Sequence, residues 1–223
     1  MRPMISASFK ALGDLLSPEF RSILLKAVGL TLALFISLLV AVEIIMSILT
    51  LVPWPWAETV LAIGTGVALA VAFFFLMAPV TAIFAGLFLD DIALRVETRH
   101  YPQDPRGTPL TAARSISIAV QFAAMVLAVN LAILPLVFTG IGAAVLVAAN
   151  AYLIGREYFQ MVAMRHMPID EARLLRRENT PRIFAAGIVP ALLSLVPVVN
   201  LAAPLFATSY FVHIFKQVQR SSA

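Results

Sequence analysis

The 223-residue sequence contains no cysteine, which excludes a disulfide framework, a thiolate metal site and a cysteine nucleophile. Charge is scarce as well: 13% of residues are Asp, Glu, Lys or Arg and 61% are hydrophobic, whereas an ordinary soluble domain carries about 25% charged residues. A chain so poor in charge is not expected to form a water-soluble globule. There is no H-E-x-x-H, no G-x-S-x-G and no P-loop, so neither intramembrane hydrolysis nor ATP chemistry is expected, and the protein is read as a non-enzyme. His100, His166 and His213 stand in separate segments without metal-ligand spacing, so no metal and no other cofactor is expected. The net charge of +4 comes with no basic run interleaved with aromatics, which argues against nucleic acid. A secretory signal is not expected either, because the first apolar run begins near Ala27 and follows Asp14 and Glu19 rather than a short basic segment.

Long apolar runs take the place of all this. A hydrocarbon core about 30 Å thick needs roughly 20 apolar residues in helix, and runs near that length recur along the chain. The pattern predicts an all-α integral membrane protein, one domain over 1–223. It has two long transmembrane helices and two proline-tipped, partly penetrating helical hairpins. Ile5, Phe9, Leu12 and Leu16 share one helical face, which predicts an interfacial helix over 1–16. Ser17-Pro18 starts a first long helix (17–51), and Pro53-Trp54-Pro55-Trp56 breaks it at an aromatic belt. A second long helix with a charged extension covers 57–101. A first hairpin (109–155) is joined at Pro135, a solvated helix covers 168–179, and a second hairpin (181–216) is joined at Pro197 and interrupted by Pro190 and Pro204. The last pair is read as Ile183 to Val196 and Val198 to Phe215, and fourteen residues reach about 21 Å of helix, which is short of the membrane thickness. Such a pair dips in and returns; two tilted, kinked full spans are the alternative.

All sixteen Lys and Arg lie in the N-terminal segment, in 95–114, in 156–182 or after 215, and the turns near Trp54, Pro135 and Pro197 carry none. The positive-inside rule then places both termini and both long polar segments in the cytoplasm.

Three proline-marked helix starts carry a nearby arginine: Ser17-Pro18 with Arg21, Thr108-Pro109 with Arg114, and Thr180-Pro181 with Arg182. A capped helix N-terminus offers unpaired N–H groups and partial positive charge, and arginine adds a fork of donors, which together suit an oxyanion. Headgroup snorkelling is the alternative for these arginines. Glu43 is an acid inside an apolar run, and Asn130, Asn200, Thr208 and Ser209 are polar at membrane depth, as pore-lining groups or interhelical hydrogen-bond partners. Gly64-Thr65-Gly66 and Gly140-Ile141-Gly142 are read as close-packing sites between helices.

The segments Asn150-Ala151-Tyr152 to Glu157-Tyr158, Asp170-Glu171-Ala172-Arg173, and above all the P-x-x-N-x-x-x-P tip Pro197–Asn200–Pro204 resemble the CysZ family of bacterial sulfate permeases. The likeness runs from about Asn150 to Phe215 and continues more weakly over the N-terminal spans. It implies a multi-pass inner-membrane homo-oligomer, embedded in the lipid bilayer, that passes sulfate or a similar oxyanion inward for cysteine synthesis. In that family a G-[LI]-R motif opens the first long helix and binds sulfate. The matching stretch here is Pro18-Glu19-Phe20-Arg21-Ser22, with Arg21 kept, Glu19 in place of glycine and Ser22 where a second arginine often stands. The expected substrate-binding residues are therefore Arg21, Ser22, Arg114 and Arg182, and the expected pathway residues Glu43, Asn130, Asn200 and Thr208. A non-transporting membrane scaffold or assembly factor is the rival reading.

Overall fold

The computed structural model describes residues 2–18, 20, 22, 25, 29, 33, 36, 37, 39–44, 47, 63–66, 88–200 and 202–222. Among these the architecture is all helical, with no strand. Every described residue from 18 to 47 is helical, as are 63–66, but the two long predicted spans lie for the most part outside the described residues.

The first helix, α1 (Arg2–Leu15), packs through Ala7, Ala11 and Asp14. Their spacing puts two small side chains and one acid on a single face, which lets α1 approach the C-terminal helix, α8 (Ala203–Ser222), closely. Ile5, Phe9, Leu12 and Leu16, the stripe singled out in the sequence, remain exposed on the opposite side. A charged helix, α2 (88–100), follows, and a loop over 101–111 leads to the first hairpin.

That hairpin consists of α3 (Ala112–Ile133), a 3₁₀ segment (Leu134–Thr139) and α4 (Gly142–Ala163). Its turn is not at Pro135, as expected. Proline lacks an N–H but has helical φ, so Pro135 fits the first turn of the 3₁₀ segment. The reversal falls at Gly140, where φ of 75° is a conformation that favours glycine. The helix α4 also runs past the expected limit at 155, carrying Arg156 to Gln160 as ordered helix. Residues Ala113–Leu136, with mean hydropathy 2.2 over their most apolar window, are long and apolar enough to cross a membrane.

The solvated helix appears as α5 (Ile169–Glu178), with Asp170 and Glu171 in its first turn and Arg176 and Arg177 in its last, as the helix dipole favours. The second hairpin contains α6 (Thr180–Leu193), a short α7 (Pro197–Asn200) and α8. Pro190 lies inside α6, but Pro204 does not interrupt its helix: it occupies the first turn of α8.

Among the described residues, Gly155 and Gly187 set the close helix packing. A Cβ on Gly187 would lie 2.0 Å from the Ala151 carbonyl oxygen, and one on Gly155 2.6 Å from that of Ile183, so α4 and α6 touch backbone to backbone. Gly140 serves the turn instead, and no described atom lies within 4 Å of a Cβ placed on Gly64 or Gly66. Against this pair lies α8, buried from Ala203 through Lys216. Its Phe211 stacks on Tyr158 and its Phe215 meets Phe159 edge to face, so α8 forms the centre of the described core.

Candidate functional site

Of the expected anion-binding residues, Ser22, Arg114 and Arg182 are described. Arg21 lies outside the described residues, and Ser22 is helical and exposed. Arg114 is exposed in the first turn of α3, which begins at Ala112 rather than at Thr108-Pro109. Arg182, in the first turn of α6, reaches α8 through Ser221 Oγ at 3.3 Å and Gln217 Oε1 at 3.4 Å. The expected hydroxyl caps also turn backward. Ser17 donates to the Asp14 carbonyl at 2.7 Å and Thr180 to the Arg177 carbonyl at 2.9 Å, while Thr108 donates to the Arg165 carbonyl at 3.1 Å. Each therefore closes the segment before it or pins a loop, and α3 and α6 have no side-chain cap. Of the pathway candidates, Glu43 is exposed, Asn200 is partly buried, and Thr208 is buried and bonded to the Pro204 carbonyl in its own helix. Asn130 keeps a buried Oδ1 without a partner.

Charged segments far apart in sequence meet in two buried networks. In the first, Arg165 is fully buried and donates to Asp90 Oδ1 and, at 3.3 Å, to Glu97 Oε2. His166 Nε2 lies 3.1 Å from Glu97 Oε1, and the Gly107 N–H donates to Oε2 at 3.1 Å. Burial opposes the charge of Glu97, but the His166 hydrogen bond, the Arg165 guanidinium and the Gly107 N–H outweigh it and hold the carboxyl below its usual range. Only glycine fits at 107, since a Cβ there would lie 2.7 Å from Arg165 Cβ.

The second network surrounds Asp14. His100 Nε2 lies 2.8 Å from Oδ1, Ser209 donates to Oδ2 at 2.7 Å, and His213 Nε2 lies 3.8 Å from Oδ2. Burial again works against the charge, and the approach of the His213 imidazole with the hydrogen bonds to His100 and Ser209 depresses the carboxyl nonetheless. Tyr101 shares a 2.7 Å hydrogen bond with His213 Nδ1, and burial pushes its phenol up to about 12. Lys216 and Arg220 pair with Asp104 and lie over the Tyr101 ring. Sequence spacing could not show this meeting of His100 and His213, because contact between α2 and α8 is tertiary.

A small, partly open depression of about 10 Å³, room for about one water molecule, lies where α4, α5 and α6 converge, lined by Tyr152, Arg156, Arg176, Thr180, Ile183 and Phe184. Tyr152, Arg156 and Gln160 follow at four-residue spacing on α4, and Gln160 Oε1 accepts from Arg176 Nε at 3.0 Å. Arg156 donates to the Met125 sulfur at 3.4 Å, and its buried Nε has no partner. Among the described residues neither Arg156 nor Arg176 has a carboxylate within ion-pair distance, unlike Arg99, Arg165, Arg173 and Arg220. Glu157 stands nearby, but burial raises its pKa more than the two arginines lower it. Burial, and then the charge of Arg156, press the Arg176 pKa downward. Two guanidiniums thus share one opening, with Glu157 nearby and a phenol and a hydroxyl at its rim. Sequence reasoning reads Arg156 and Arg176 only as topology markers; the i, i+4 series Tyr152–Arg156–Gln160 is the available signal.

A family model described as "Sulfate transporter CysZ/Etoposide-induced protein 2.4" matches residues 7–204. The chain belongs to this family. The match takes in all of the arginine cavity and ends within the first turn of α8, so Ser209 and His213 lie beyond it. No curated protein matches the chain. Membership in a family named for a sulfate transporter agrees with an oxyanion substrate and a membrane location, and the guanidiniums of Arg156 and Arg176 are the described groups best suited to such a ligand.

Proposed function

We propose that the chain is a multi-pass permease of the bacterial inner membrane that passes an oxyanion, sulfate first among them, through a channel-like path without ATP hydrolysis, in support of cysteine biosynthesis. The observation that carries this reading is the Arg156–Arg176 pair, two partly buried guanidiniums at one opening with no carboxylate within ion-pair distance among the described residues. A desolvated cation left unpaired is costly, and a divalent oxyanion would neutralise both at once through charge-assisted hydrogen bonds. Arg21, Ser22, Arg114 and Arg182 gather the anion at the cytoplasmic side in this proposal. Asn130, with its unpartnered oxygen, is the best supported of the path residues, beside Glu43, Asn200 and Thr208. The exposed apolar faces of α1, α3 and α6 suit lipid or a second protomer.

Sulfate flux into liposomes holding only this protein tests the reading. Losing one charge-assisted contact costs roughly 1.5–3 kcal/mol, about a tenfold to hundredfold loss of binding. Arg156→Ala and Arg176→Ala should therefore each reduce saturable flux by about that factor at matched incorporation. Flux no greater than in empty liposomes would end the permease reading and leave a membrane scaffold in its place.

A further inference from the structure

We propose that Asp14, His100 and His213 form a binding site for one divalent transition-metal ion of the zinc class, joining α1, α2 and α8. One carboxylate and two imidazoles converge here, and their ligand atoms all lie within 4.8 Å of one another. In a tetrahedral zinc site with bonds of about 2.0–2.2 Å, ligand atoms stand roughly 3.3–3.6 Å apart. His100 Nε2 lies 2.8 Å from Oδ1 and His213 Nε2 lies 3.8 Å from Oδ2, so an ion here would draw the two imidazoles onto the carboxylate by small side-chain shifts.

The independent observation is His213. It is fully buried, and its Nε2 faces Asp14 Oδ2 at 3.8 Å, beyond hydrogen-bond distance, with no hydrogen-bond partner among the described residues. Its other nitrogen, Nδ1, is engaged by the Tyr101 oxygen at 2.7 Å. When Nδ1–H donates to that oxygen, the Nε2 lone pair points at the carboxylate. That is the tautomer and the outer hydrogen bond a metal-ligating histidine uses. Without a cation the other tautomer, with Tyr101 donating to Nδ1 and Nε2–H toward Asp14, suits the carboxylate, so an ion would select between the two. The His100 ring meets the His213 ring edge on, with centroids 4.9 Å apart, which leaves both Nε2 atoms room to converge.

Two imidazoles, one carboxylate and a fourth position open to water make a zinc-type set, and imidazole donors disfavour magnesium and calcium. Ser209, now bonded to Asp14 Oδ2, would remain an outer partner holding the carboxylate. Arg99, 3.5 Å from Oδ1, and Lys10 on α1 carry positive charge toward the site. The Arg99 side chain is nearly half exposed and can withdraw into solvent. The three ligands come from 14, 100 and 213, so an ion here would fasten the N-terminal helix, which leads directly into the first long span, to the C-terminal core. This inference does not depend on the permease reading.

The test uses the full chain, with any affinity tag removed, in detergent after treatment with a chelator. Titration calorimetry with zinc chloride should give saturable binding near one ion per chain, and thermal unfolding should move upward with zinc. X-ray absorption should report nitrogen and oxygen ligands at about 2.0 Å. His100→Ala, at the solvent edge of the site, should weaken binding about a hundredfold or more, and Tyr101→Phe, which removes only the outer hydrogen bond, about tenfold to hundredfold. His166→Ala, in the other network, should leave zinc affinity unchanged. No saturable binding to the folded parent would overturn the proposal. So would zinc affinity undiminished in a folded His100→Ala, or lost equally in His166→Ala.

Discussion

Gly187→Ala perturbs one atom at the contact that builds the arginine cavity. The new methyl would start 2.0 Å from the Ala151 carbonyl oxygen, 2.9 Å from its carbon and 3.1 Å from the Gly155 nitrogen. All three neighbours are backbone, so no side chain can rotate away. An ordinary contact near 3.4 Å requires α4 and α6 to separate by about 1.4 Å, the difference between 3.4 and 2.0. Overpacking a well-packed interior costs typically about 1–3 kcal/mol, and occasionally more. With only backbone to yield, Gly187→Ala belongs at or above the upper end of that range. The separation should also reach function, because α4 carries Tyr152 and Arg156 while α6 carries Thr180 and Ile183. Sulfate flux should fall together with stability.

Gly155→Ala meets the same crossing from the other helix, 2.6 Å from the Ile183 carbonyl oxygen. One separation relieves both clashes, so the double variant should lose clearly less than the sum of the single losses, as expected for residues in direct contact. Gly13→Ala is the control: nothing lies within 4 Å of its Cβ, and alanine in a helix gains up to about 1 kcal/mol over glycine. Unfolding of the purified chain in detergent, read by circular dichroism, gives all four values. A Gly187→Ala protein as stable as the parent, or strictly additive losses in the double variant, would refute the backbone-contact argument.

Glu97→Gln keeps the shape of the first network but removes its central charge. Asp90 still faces Arg165, so the loss in a denaturation experiment should lie at or below the about 3–5 kcal/mol of a fully orphaned buried ion. Because the folded pKa of Glu97 is depressed, its contribution is present at neutral pH and is lost as pH falls below about 4.5 through the folded value. Parent stability should therefore drop in acid more steeply than that of Glu97→Gln, and parallel curves would contradict the charge assignment. At the expected family motif, Arg21→Ala should weaken sulfate binding about tenfold to hundredfold and Arg21→Lys only partly, while Glu19→Gly should strengthen it. Equal binding by all three would remove Arg21 from the path. For topology, cysteines placed at Trp54 and Arg173 should label from outside the cell and from the cytoplasm respectively; labelling of both from one side would reverse the positive-inside reading.

Local rules made part of the fold legible in the sequence. Helix content, the charged helix over 88–100, the dipole-matched Ile169–Glu178 and the short proline-bearing Thr180–Leu193 come from periodicity and turn chemistry acting within a few residues. The site was less legible, because its parts meet by packing. Arg176 gains its place beside Arg156 only when α5 folds back onto α4, and His213 meets His100 across more than a hundred residues. The backward-turned caps had a local cause that could be misread. A hydroxyl before proline can serve the helix it precedes or the carbonyl behind it, and Ser17 and Thr180 take the second course.

The second hairpin shows why hydropathy alone could not assign surroundings. Its two arms read alike as apolar runs broken by proline, but α8 is buried from Ala203 through Lys216 against α1, α4 and α6. On α6 and beyond it, Ile188, Leu192, Leu195 and Val196 remain exposed. Apolar composition states what a helix avoids, and both lipid and a protein core satisfy it. The difference lies in what the polar residues require. In α8, Ser209, His213 and Lys216 all find partners in Asp14, Tyr101 and Asp104. These are partners that lipid could not supply and that must come from the chain itself. Polar groups recurring along one apolar helix at three- to four-residue spacing, here 209, 213 and 216, therefore marked the arm turned toward protein. The arm without them, Ile183 to Leu193, packs one face on α4 and leaves Ile188 and Leu192 exposed on the other.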